Sequence, residues 1–128
     1  MFASLVTKKP MSNTMRVQFS FEDNEILNDI LSFGGEWKYP FLPRIGEEIS
    51  PALLVDWITP NQLFEALSDY EKSMWLEWVT EDVEAGSQEE EAQLDNLYIW
   101  LANLGTVVSE ICWSKYDNKP CVLITLKR

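Results

Sequence analysis

The chain has no histidine, two cysteines, five glycines and ten basic residues against twenty-one acids. Each shortage removes a class of chemistry. Without histidine the commonest general base and the commonest zinc ligand are both missing, which excludes catalytic triads, HExxH helices and histidine-activated thiols. Two cysteines alone cannot complete a zinc site, so Cys112 and Cys121 are expected as reduced packing residues, with a cross-strand disulfide as the alternative. Gly34-Gly35, Gly46, Gly86 and Gly105 lie outside any GxGxxG or GxxxxGK[ST] pattern, which removes the common phosphate-cradling loops. The net charge of −11 disfavours direct contact with nucleic acid or an anionic membrane. No apolar run approaches the roughly 20 residues that cross a bilayer. The short uncharged start before Lys8 and Lys9 lacks the order of a signal peptide. The expected location is therefore cytoplasmic, with no membrane partner and no cofactor.

What remains is a chain rich in large apolar side chains. Of its 128 residues 46% are hydrophobic, including six Trp, six Phe and four Tyr. That suffices for one domain with one core. Residues 1–14 show no period and are expected to be a flexible extension, with Met11 or Met15 an equally good start; residues 15–128 form the domain. The charge is uneven: residues 20–105 hold 19 of the 21 acids but only Lys38, Arg44 and Lys72 as bases, whereas 106–128 is mildly basic.

Alternation in "RVQFSF" predicts a strand with Val17, Phe19 and Phe21 on one face. In "DNEILNDILSFGG", Asp23 or Asn24 as cap and Gly34-Gly35 as stop predict a short helix, with a loop as its rival. The following "KYPFLPRIGEEIS" carries Pro40 and Pro43, which bar an interior strand, and Gly46, which permits a turn into a short strand at 47–49. Ser50-Pro51 reads as a helix cap with a first-turn proline, with a strand over Leu53 to Ile58 as its rival, and Thr59-Pro60 repeats the helix-start signal. The second opens a helix of nearly twenty residues whose core stripe runs through Leu63, Leu67, Tyr70, Met74 and Trp78, leaving Phe64 and Trp75 at its margin. Ser87 and Glu90 form a capping-box pattern for a second helix lined by Leu94, Leu97, Tyr98, Leu101 and Leu104, ending at Gly105. Ile99 and Trp100 point away from that stripe, so this helix is either buried on two sides or offers an apolar patch.

"TVVSEICW" and "CVLITL" predict a closing hairpin. An even loop places Val107, Ile111 and Trp113 with Val122, Ile124 and Leu126 on one apolar face, and puts Cys112 and Cys121 together on the other, opposite or diagonal. The fold class expected is α+β: a small antiparallel sheet, or an incomplete barrel, with a helical insertion at about 51–104. The "PRIGEEI" turn together with the late hairpin resembles small bacterial and phage proteins of the SH3-like β-barrel kind. That resemblance implies a barrel strand at the turn and a phage or mobile-element setting.

Two functional readings follow. In the first, the chain is a non-catalytic acidic interaction protein whose partner is a basic protein, or a second copy of itself. Its candidate contact residues are Tyr39, Phe41 and Arg44, an aromatic-cationic lip, and the marginal Trp75 and Trp100. In the second, carboxylates drawn from Glu22, Asp23, Glu47, Glu48 and Asp56 converge into a metal-binding or catalytic pair. No catalytic or metal-ligating residue is assigned on spacing alone.

Overall fold

The computed structural model describes residues 15–128, an α+β chain in the order β1 (Met15–Phe21), β2 (Ser32–Trp37), α1 (Pro51–Leu54), α2 (Pro60–Ala66), α3 (Asp69–Glu84), α4 (Glu89–Leu104), β3 (Val107–Tyr116) and β4 (Lys119–Lys127). The expected extension at 1–14 lies outside the described residues. The strands form one mixed sheet, ordered β2-β1-β4-β3. β1–β2 and β3–β4 are antiparallel, while β1 and β4 run parallel at the centre, which requires the long helical crossover between them. The sheet is open rather than closed into a barrel.

Period-two alternation explains the buried face. Val17 and Phe19 of β1 and Val122, Ile124 and Leu126 of β4 join Leu54, Leu63, Leu97 and Leu101 of the helices in one core. The other face carries Gln18, Ser20, Leu123 and Thr125, which stay partly accessible.

The helix expected across 24–33 is absent. Asn24 turns the chain instead of capping it, its Oδ1 accepting from the Ile26 amide at 3.0 Å, and Gly34-Gly35 lie inside β2. Those glycines are interior to a strand for a steric reason: a Cβ at Gly34 would collide with the Val17 carbonyl, and one at Gly35 would stand 2.8 Å from the Trp57 indole.

The same loop breaks the long helix. Leu27 bridges Leu67, the Asn28 amide donates to the Ala66 carbonyl at 2.8 Å, and the Ser68 amide to the Ile26 carbonyl at 2.9 Å. Leu67 is therefore extended, and Ser68 starts α3 afresh, its hydroxyl accepting from the Glu71 amide. Restarting the helix resets its phase. Trp75 and Val79 become the buried positions of α3, Met74 and Trp78 only partly so, and Tyr70 is exposed.

In α4 the expected stripe shifts: Leu97, Leu101 and Leu104 are buried together with Asn96 and Trp100, whereas Leu94 and Tyr98 are exposed. Ser50 caps α1, and Thr59 with Gln62 makes a complete capping box on α2. At α4 the cap position falls on Gln88 and no side chain caps it, so the Ser87–Glu90 box does not form. The β3–β4 loop is the two-residue Asp117-Asn118, both at positive φ (52° and 66°), as an even register requires. Ile111 and Trp113 pair with Ile124 and Val122 as expected. A bulge between Val108 and Glu110 shifts the start of β3, so Val108 rather than Val107 enters the core, opposite Leu126. Cys112 and Cys121 are both free, and they sit diagonally because Cys112 opposes Leu123 and Cys121 opposes Ser114.

Candidate functional site

The 38–50 segment leaves β2 at Trp37 and returns to the sheet beside the start of β3. Its backbone is fastened at several points. The buried Trp37 Nε1–H donates to the Phe41 carbonyl at 2.9 Å, and the Arg44 amide donates to Glu47 Oε1 at 2.6 Å. The Gly46 amide donates to the Val108 carbonyl, Val108 donates back to Glu47, and Ile49 donates to Thr106, at 2.7–2.9 Å. Gly46 takes φ +92°, the left-handed turn that its lack of a Cβ permits. The short strand expected at 47–49 is thus reduced to one bridge, Glu48 to Val107, continuing the sheet past β3.

Several side chains of the segment face outward, whereas Ile49 is buried. Phe41 is 83% exposed, and Tyr39 and Ile45 are also largely in solvent. Tyr39 stands edge-on to Trp37, ring centroids 5.0 Å apart, which fixes its position without covering it. Beside Phe41 runs a groove of about 860 Å³ lined by Trp37, Phe41, Leu42, Arg44, Ile49 and Leu53 together with Glu47 and Glu48. Arg44 pairs with Glu47 at 3.4 Å, an exposed ion pair of small energetic weight. Of the expected lip, Phe41 and Arg44 line this groove, while Tyr39 packs against Trp37.

Trp75 and Trp100 are not part of it. They are 1% and 2% exposed, with centroids 5.2 Å apart, between α3 and α4. Their indole N–H groups are satisfied inside the protein: Trp75 Nε1 donates to Gln93 Oε1 at 2.7 Å, and Trp100 Nε1 donates to Glu71 Oε1 at 3.0 Å. Buried Asn96 completes the joint, its Nδ2 donating to the Trp75 carbonyl at 3.0 Å. The placement of these two tryptophans at a helix margin is corrected by this arrangement. For Trp75 it follows from the phase reset at Leu67, and for both from an acceptor on the facing helix that satisfies the buried indole N–H.

The residues missed by pattern reading are Trp37, Leu42, Ile49 and Leu53. Trp37 was accessible to it: Phe33, Gly35 and Trp37 continue a period of two once the glycines are read as strand. Among the described residues no group of three or more potential ligands is placed to hold a metal ion. Glu22 and Asp23 follow β1, Glu47 and Glu48 line the groove, and Asp56 is exposed after α1. No helix of the described residues is long and apolar enough to cross a membrane. Comparison with protein-family models, with curated proteins and with solved structures finds no match to this chain.

Proposed function

We propose that this chain is a non-catalytic acidic interaction protein that takes a basic protein partner on the 38–50 surface. The observation that carries the reading is a segment held by backbone hydrogen bonds that presents Phe41 to solvent beside an apolar groove. A backbone already held in place loses little conformational freedom on binding, and an exposed aromatic is the kind of side chain that anchors a contact. The net charge of −11 favours approach of a positively charged partner, such as a nucleic-acid-handling enzyme or a toxin in a phage or mobile-element setting. The "PRIGEEI" turn, similar to that of SH3-like barrel proteins, supplies Arg44 and Glu47 at one side of the groove.

Affinity capture from source-cell lysate at low and high salt, with mass spectrometry of the retained proteins, tests the reading. A basic protein held at low salt and released at high salt supports it. Retention that does not change with salt removes the electrostatic part, and recovery of the chain alone favours self-association.

A further inference from the structure

A second surface lies between α2 and the α3–α4 pair. A cleft of about 560 Å³ opens there, floored by Phe64 and Trp75 and walled by Pro60, Leu76, Gln93 and Leu94. Its floor is apolar by construction. The Trp75 N–H is already committed to Gln93, and Phe64 packs edge-on against the indole at 5.8 Å and 71°. No indole donor is left free for a polar ligand. Its walls are uncovered: Leu76 of α3 is 55% exposed and Leu94 of α4 47%, whereas Leu97, Leu101 and Leu104 of α4 are buried. That makes a trough rather than an enclosed cavity, suited to a side chain delivered on a helix more than to a free small molecule.

Charge around the trough says what that helix carries. Glu90 lines it directly, next to Glu89 and Glu91 in the first turn of α4. Residues 69–104 hold ten acids and a single base, Lys72, whose ammonium lies 5.8 Å from the Phe64 ring centroid. An apolar floor within so acidic a pair of helices is complementary to an apolar side chain flanked by lysine or arginine.

We infer that the cleft between α2 and the α3–α4 pair is a docking groove for a basic amphipathic helix of a protein partner, with an apolar side chain seated against Phe64, Leu76 and Leu94 and basic residues facing Glu90 and its neighbours. This deepens the interaction reading and rests on it, while using residues separate from Phe41.

The test uses the full chain and two synthetic peptides of identical leucine and lysine composition, one ordered as an amphipathic helix and one scrambled. Titration followed by amide NMR reads both affinity and place. The expected result is about tenfold tighter binding of the amphipathic peptide, with shifts concentrated on Asn61, Leu76, Gln93 and Leu94. Leu76→Ser and Leu94→Ser should each remove that preference while the unfolding midpoint shows the fold intact. Equal affinity for both peptides, or a preference untouched by Leu76→Ser, overturns the docking groove. So does sedimentation showing a dimer that Leu76→Ser dissociates, because the occupant is then a second copy. The Phe41 surface is read separately by salt-dependent capture, so loss of the cleft proposal leaves the wider interaction reading standing, and the reverse failure is equally visible.

Discussion

The α3–α4 pair and the 38–50 segment use aromatic residues in opposite ways. Between the helices, Trp75 and Trp100 lie inside, and each indole N–H finds an acceptor on the facing helix. In the segment it is the backbone that is fastened, by Trp37, by Glu47 and by the start of β3, while Tyr39 and Phe41 are left outside. The difference shows that an aromatic's role here depends on where its polar neighbours are satisfied. Side-chain acceptors across a helix joint draw a tryptophan in. In the 38–50 segment the bonds are made by main-chain groups, and Tyr39 and Phe41 stay in solvent.

The largest effect that could break this contrast is at the helix joint. Trp75→Ala should lower unfolding stability by about 3–5 kcal/mol in a urea titration, because it opens a cavity and strips Gln93 of its donor. A loss below about 1 kcal/mol would mean that the tryptophan is not a core residue. Gly34→Ala should cost about 1–3 kcal/mol, since the added methyl meets the Val17 carbonyl across the β1–β2 pair. Ser68→Ala should cost about 1 kcal/mol through loss of the α3 cap, whereas Ser87→Ala, which removes no cap, should stay within about 0.5 kcal/mol. Equal effects for the two serines would restore the capping box at α4. Smallest in stability is Phe41→Ser, expected within about 0.5 kcal/mol of the wild type, and for that reason the cleanest variant for binding.

Much of the architecture was legible from local pattern. The alternation of Val17, Phe19 and Phe21, the proline-led caps at Ser50 and Thr59, and the even β3–β4 loop all rest on neighbours in sequence. What escaped pattern reading depends on distant neighbours. The Leu27–Leu67 bridge joins two segments forty residues apart, and it both removes the expected helix at 24–33 and cuts the long one in two. Gly34-Gly35 resemble a helix stop until the carbonyl of Val17 and the ring of Trp57 are seen to occupy the space that side chains would take. The bulge after Val108 exchanges two adjacent valines across the sheet, a change that alternation cannot foresee. At the candidate site, the exposure of Tyr39 and Phe41 was legible from the prolines around them, which keep the segment out of the sheet interior. The groove beside Phe41 was not, because its walls come from β2, from α1 and from the bridge to β3.

The central claim is that Phe41 is held out for a partner and Trp75 is held in for the fold. The direct measurement is the amount of partner retained by wild type and by Phe41→Ser in parallel low-salt captures, with the unfolding midpoint of each protein recorded alongside. The account predicts at least a tenfold loss of the retained basic protein at an unchanged midpoint. Equal retention by the two proteins would contradict it.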